Sequence, residues 1–241
     1  MAEAMPERRA RLLLSRALAK VKKAVRELSL PLDGERVLIG ASGGWDSCAL
    51  ALLLDAYRRG AKRKPQLLAA YAAFQGATRV PPSGALLEFY ARLGIPLLTL
   101  LPDAHAGPCS ACRLKRREVL VKAASHLGCR LIALGHHLDD FGETLLLNLL
   151  FAGTFEGLFP RVDYFGRFTV IRPLLYLRKE EIDALGRAFA FPPPHTPCAE
   201  YDRSQRLPIR AFLARLGRTN KHVLRNLLRA RLRALTPPAA R

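Results

Sequence analysis

The chain has 241 residues, enough for one large domain or one domain with appendages, and half of them are hydrophobic, so a sizeable core is within reach. No apolar run approaches the ~20 residues needed to cross a bilayer. The amino-terminal stretch MAEAMPERRARLLLSRALAKVKKAVREL also lacks the apolar core and cleavage site of a signal peptide, so no membrane association and a cytoplasmic location are expected. The balance of 39 Lys and Arg against 20 Asp and Glu, a net +19, points to polyanionic partners, with nucleic acid ahead of a membrane surface.

In chain order, residues 7–28 read as a basic amphipathic helix with Leu12, Leu13, Leu14, Leu18, Val21 and Val25 as its apolar set. Pro31-Leu32-Asp33-Gly34 is a turn. A strand follows over 36–40, then a glycine-rich loop and a helix over 46–58. Strands at 66–74, 96–101 and 129–135 alternate with helices at 83–94, 109–127 and 139–151. The segment VDYFGRFTVIRPLL reads as a hairpin turning near Phe165-Gly166, RKEEIDALGRAFA as a short helix, and FPPPHTPC as a rigid extended segment leading to Cys198.

This alternation predicts an α/β fold: an open, mostly parallel sheet with helices on both faces, plus basic helices at the two ends. Three units are expected: a basic helix over 1–30, a core domain over 31–200 and a basic helical tail over 201–241. From Arg203 to Arg241 there are 11 Lys or Arg and no Asp or Glu. Leu224, Leu227, Leu228, Leu232 and Leu235 recur at helical spacing, which predicts a helix packed on the body with a basic outer face. Ligands of such sheets bind beyond the carboxyl ends of the strands. The glycine loop, the segment from Tyr71 to Phe74 and GHHLDD should therefore meet on one rim.

Three constellations carry chemistry. In Ser42-Gly43-Gly44-Trp45-Asp46-Ser47, the glycines let backbone N–H groups approach an anion closely. The next helix aims its N-terminal dipole at the same spot. Ser42 and Ser47 add hydroxyl donors, and Asp46, too acidic to face phosphate directly, suits Mg²⁺. The lysine of G-x-x-x-x-G-K-S/T is absent, which argues against transfer of the γ-phosphoryl group. Without its flanks the same segment is an ordinary serine-capped turn.

The second constellation is Cys109-Ser110-Ala111-Cys112 with distant Cys198. Five cysteines, an odd number, in a cytosolic context argue against a disulfide framework; redox chemistry or a metal is the alternative. His195 and Cys198 could complete a Cys₃His zinc site, and spacing alone leaves zinc and iron–sulfur equal. Arg113, Lys115, Arg116 and Arg117 would stabilise thiolates or anionic ligands nearby. The third is Gly135-His136-His137-Leu138-Asp139-Asp140, which reads either as a helix start capped by Asp139 or as a metal-binding or catalytic group.

Ser-Gly-Gly-x-Asp-Ser after a first strand resembles the PP-loop of the N-type ATP pyrophosphatases, which cleave ATP between the α and β phosphates and adenylate a substrate. The fourth loop position varies in that family, so Trp45 keeps the pattern. PCSACRLKRREVL, IALGHHLDDFGETLLLNLLFAGTFEGLFPRV, VIRPLLYLRKEEI and FPPPHTPC, in that order, resemble the TtcA family of tRNA thiolases over residues 35 to 200. The sister TtuA branch shares the core but carries flanking zinc-finger cysteines, which are missing here.

The resemblance implies an adenine nucleotide alpha hydrolase-like fold and an ATP-dependent sulfurtransferase. It would replace the carbonyl oxygen of an anticodon-loop cytidine with sulfur, giving 2-thiocytidine. It further implies ATP binding by Ala41, Ser42, Gly43, Gly44, Asp46, Ser47, Tyr71, Arg116, Gly135 and Asp140, with catalytic roles for Asp46, Arg116 and Asp140. Cys109, Cys112 and Cys198 would hold a [4Fe–4S] cluster, which displaces zinc and leaves His195 as a neighbour. Implied partners are tRNA, gripped in part by Arg225, Arg229 and Arg233, a sulfur donor such as a cysteine desulfurase or free sulfide, and a second copy in a homodimer. The chain departs from the family at Ala72-Ala73-Phe74, where a polar residue or Asp is usual, and at Tyr201, where a further cysteine is usual. The competing readings are a 2-thiouridine synthase, a lysidine synthetase, and a non-catalytic metal-containing RNA-binding module.

Overall fold

The computed structural model describes residues 7–75, 78–100, 109–164, 166–194 and 205–235, with side chains described at all of them except 74, 75, 78, 79 and 109–113. The chain opens on α1 (Glu7–Glu27), whose buried seam is Ala10, Ala17, Val21 and Ala24. Small alanines let this helix approach the body closely. Of the predicted apolar set, Leu13, Leu14, Leu18 and Val25 pack at the flanks of that seam, whereas Leu12 is 50% exposed.

The core alternates β1 (Arg36–Ala41), α2 (Trp45–Gly60), β2 (Gln66–Ala72), the short pair β3 (Phe74–Gln75) and β4 (Thr78–Arg79), α3 (Gly84–Arg92), β5 (Leu97–Leu100), α4 (Cys109–His126), β6 (Leu131–Ala133) and α5 (Leu138–Phe151). The hairpin β7 (Arg161–Tyr164) and β8 (Phe168–Ile171) precedes α6 (Lys179–Ala188), and α7 (Arg206–Thr219) and α8 (Val223–Leu235) close the described chain. The sheet has six strands in the order β5-β2-β1-β6-β8-β7, parallel throughout except for the β7–β8 pairing. The expected mostly parallel sheet is therefore present, with helices packed on both faces.

Chemistry explains the plan. Val37, Leu38 and Ile39 are fully buried, as a central parallel strand covered on both faces must be. One core packs α1, α2, α3 and α6 on one face through residues such as Val21, Leu50, Phe89 and Ile182. A second lies on the other face around Leu38, Ala124 and Ile132, under α4. The predicted strand 66–74 stops at Ala72. Its successor, Ala73, donates its N–H to the Leu100 carbonyl and accepts from the Val80 N–H, at the root of the antiparallel β3–β4 pair.

The tail forms two helices rather than one. Asn220 ends α7, and its side-chain oxygen accepts from the His222 N–H at 2.9 Å, a local bond that competes with helix continuation. Both helices pack on α5 through Leu138, Phe141, Leu145, Ile209, Leu213, Leu224 and Leu228. The buried Glu143 carboxylate ties α7 down, accepting from Arg210 Nε at 2.7 Å and lying 3.5 Å from Arg206 Nη1. Two arginines of the basic tail thus serve internal packing, while Arg225, Arg229 and Arg233 face solvent.

Gly142 on α5 fits against the Leu224 side chain of α8, with no room for a Cβ. Gly142→Val should therefore loosen the tail and lower stability by about 1–3 kcal/mol, measured by urea unfolding.

Candidate active site at the β1–β6 rim

Strand order reverses at β1, which has β2 on one side and β6 on the other. In an open α/β sheet this leaves a crevice beyond the carboxyl ends of those strands. The loop after β1 and the loop after β6 both open into it. Helix α4 follows β5 and leads back to β6. Ala41 lies abreast of Tyr71 at the end of β2.

The Ser42–Ser47 loop is preorganised by its own hydroxyls. Ser47 Oγ donates to the Gly44 carbonyl at 2.8 Å and accepts from the Ser42 N–H at 3.2 Å. Ser42 Oγ accepts from the Gly44 N–H at 3.3 Å. Gly43 sits at φ +75°, a conformation open to glycine at little cost. Gly44 is the N-cap of α2 and, being glycine, makes no side-chain cap bond to the first turn of that helix. Its amino end is left for an anion. Across the crevice, Gly135 lies so close to the Asp46 carbonyl that a Cβ would come within 2.8 Å of it, which locks the β6–α5 loop against the start of α2.

The GHHLDD loop divides its labour differently from the expected cap by Asp139. His137 is the N-cap of α5: its Nδ1 accepts from the Asp139 N–H at 3.2 Å, and its own N–H donates to Asp140 Oδ2 at 3.0 Å. Asp139 instead reaches across to α6, accepting from the Lys179 N–H at 2.8 Å and from Arg178 Nε at 3.1 Å. The reason is competition: a buried imidazole already satisfies α5, so the carboxylate is free to satisfy a second helix. Burial alone would raise the pKa of Asp139, but His137, the Lys179 N–H and Arg178 together hold it below its ordinary value.

The two histidines lie in opposite fields. Burial, then Arg172, Arg117, His137 and Arg206, push His136 down to about 3, so it is neutral at physiological pH. For His137 burial also favours the neutral form, but Asp139, Asp140 and Asp46 outweigh it and raise its pKa. Its Nε2 stands 3.4 Å from Asp140 Oδ2 and 3.7 Å from Asp46 Oδ1. Asp140 itself is raised: burial leads, opposed by His137 and reinforced by Asp46 and Glu143.

Sequence reasoning missed Lys179. Its Nζ donates to Asp46 Oδ1 at 2.7 Å and lies 3.3 Å from Asp183 Oδ1. Burial disfavours the ammonium, but the two carboxylates prevail and raise its pKa. Gly44, Trp45, Asp46, Lys179, Asp183 and Pro194 line an open recess of about 290 Å³. A signal existed: Arg178 and Lys179 open a helix, where cations oppose the dipole unless anions are close.

Trp45 also finds its role. Its Nε1 donates to the Pro192 carbonyl at 3.0 Å, and its ring meets Phe191 edge-on. A Cβ on Gly186 would come within 2.5 Å of that ring. Trp45 therefore clamps the loop to α6 and to the segment that continues towards Cys198.

Of the other predicted residues, Arg116 lies on α4, and its charge acts on the Tyr71 phenol, whose pKa burial raises and Arg116 partly restores. Cys109 and Cys112 occupy the first turn of α4, three residues apart on one side of the helix. Their side chains, together with His195, Cys198 and Tyr201, lie outside the described residues, and among the described residues no His/Cys/Asp/Glu group is arranged to hold a metal. Cys48 is buried core, its thiol pushed up to about 12 by burial and by Asp46.

Comparison with known proteins agrees with this geometry. The PP-loop domain family matches residues 14–191. The chain is 36% identical over 222 residues to the tRNA-cytidine(32) 2-sulfurtransferase of Geobacter metallireducens, covering 87% of this chain and 86% of that protein. It is 35% identical over 230 residues to the enzyme of the same name from an Anaeromyxobacter species, covering 90% and 75%. Its fold is similar to the U34-tRNA thiolase NcsA from Methanococcus maripaludis with its [4Fe–4S] cluster, with a TM-score of 0.76, 21% identity, and coverage of 93% and 80%. A chain with this loop, this strand order and these relatives belongs to the PP-loop family, in the group of the tRNA-cytidine(32) 2-sulfurtransferases.

Proposed function

We propose that the chain is an ATP-dependent tRNA sulfurtransferase that converts a cytidine of the anticodon loop to 2-thiocytidine in the cytoplasm. The observation that carries this reading is the Ser42–Ser47 loop at the amino end of α2, whose glycine N-cap offers no side-chain cap; the C-x-x-C at the start of α4 supports it. The relatives' shared activity points the same way.

The phosphate loop holds the β and γ phosphates of ATP through backbone N–H groups and the Ser42 and Ser47 hydroxyls. The carbonyl oxygen of the base attacks the α phosphorus, the α–β bond breaks and pyrophosphate leaves. Arg116, always charged, offsets negative charge growing on the α phosphate; it cannot act as a base. Sulfide, from a cysteine desulfurase or free in solution, then adds at the carbon and AMP departs with the original oxygen.

Asp46 and Asp140, flanking His137, offer the hard oxygen donors that Mg²⁺ takes. Cys109, Cys112 and Cys198 offer three thiolates, two of them at the amino end of a helix whose dipole favours the ionised form. Cys109, Cys112 and Cys198 would hold a [4Fe–4S] cluster, which would supply iron to carry the sulfide. Exposed Arg225, Arg229 and Arg233 on α8 contact the RNA backbone, and a loop nucleotide leaves its stack more readily than a paired one.

Nucleoside mass spectrometry of tRNA from cells with and without the gene should show loss of 2-thiocytidine; loss of a thiouridine instead would move the activity to the sister branch. Asp46→Ala should abolish pyrophosphate release while leaving tRNA affinity nearly unchanged. Purified without oxygen, the protein should carry iron and sulfide and absorb visible light, and Cys198→Ser should remove that absorption. Replacing Arg225, Arg229 and Arg233 together by Gln should flatten the salt dependence of tRNA binding, by about 0.7–0.9 in log–log slope for each phosphate that is no longer neutralised.

A further inference from the structure

The phosphate loop carries no lysine, yet a lysine stands at its mouth. The Lys179 backbone is pinned by the 2.8 Å bond from its N–H to Asp139. Its helix packs directly on the loop, the Trp45 ring lying against Gly186. The ammonium shares the recess with Gly44, the glycine N-cap that gives α2 no side-chain cap. Two carboxylates, Asp46 at 2.7 Å and Asp183 at 3.3 Å, hold it there as a cation.

We infer that Lys179 is the pyrophosphate-binding cation of this site. In the free protein it rests on Asp46 and Asp183. When ATP fills the loop, the ammonium rotates onto the terminal phosphates, which carry more charge than a single carboxylate. A lysine suits this exchange: it is a point charge on a flexible stem, with no fixed fork to satisfy. Charge gathers on the pyrophosphate as the α–β bond breaks, so a cation fixed beside it stabilises the leaving group. The phosphate loop and its lysine thus come from elements more than a hundred residues apart, Asp46 and Lys179 being separated by 133 positions. This inference rests on the ATP-cleaving reading given above.

Calorimetry on the full chain tests it with three probes: pyrophosphate, the α,β-methylene analogue of ATP, and AMP. Lys179→Met should weaken pyrophosphate and the analogue by about 10- to 100-fold, the scale of one charge-assisted hydrogen bond. AMP has no β or γ phosphate, and its affinity should stay the same. Lys179→Arg should recover part of the loss. Unchanged pyrophosphate affinity in Lys179→Met overturns the inference, as does an equal loss for all three probes with a lower melting temperature, the mark of a structural ion pair. Failure of the wild-type chain to bind either pyrophosphate or the analogue overturns the ATP-cleaving reading itself, and the inference with it.

Discussion

Three helix N-termini, those of α2, α5 and α6, converge on the β1–β6 rim, and the site depends on how their positive ends are neutralised. Each end behaves roughly as +0.5 of a charge. The α5 end is closed by His137 and Asp140, and the α6 end by Asp139 and Glu181, whose carboxylate accepts from the Arg178 N–H at 3.1 Å. Of the three, α2 is left without a side-chain cap. Carboxyl groups committed to two helices leave the third as the place where an incoming anion gains most. The loop's serine hydroxyls bond only the cap residue, Ser42 Oγ accepting from the Gly44 N–H and Ser47 Oγ donating to the Gly44 carbonyl, and bring no negative charge to that end.

Charge elsewhere is divided in the same way. The large positive excess is not one undifferentiated field. Arg206 and Arg210 anchor α7 on buried Glu143, and Arg231 stacks its guanidinium over Phe159 at 5.0 Å. Arg172 is 5% exposed and burial pulls its pKa down to about 10. Arg225, Arg229 and Arg233, in contrast, stand on the exposed face of α8. The same residue type thus separates into structural cations held by named partners and surface cations open to a polyanion.

The sheet was legible because it depends on burial, and burial leaves a repeating pattern: Val37-Leu38-Ile39 and Leu131-Ile132-Ala133 are continuous apolar runs, as doubly covered strands require. The phosphate loop was legible because its glycines and hydroxyls are contiguous. What escaped the sequence was anything built across elements. Lys179 sits in a helix where a solvated lysine would look identical. Asp139 reads as a cap until the buried His137 takes that place. The break at Asn220 is set by one side-chain bond inside an otherwise periodic stretch. Leu12 fell outside the seam because the packing surface runs through alanines, which periodicity scores weakly.

Trp45 and Gly186 fill one space between them: the indole occupies the volume that any side chain at 186 would need. Variation at the fourth loop position therefore has a hidden partner. A chain of this fold with a small residue at 45 has a vacancy that a side chain at 186 could fill. The two positions form a single steric unit divided between a phosphate loop and a remote helix, so tolerance at one should be read only together with the occupant of the other.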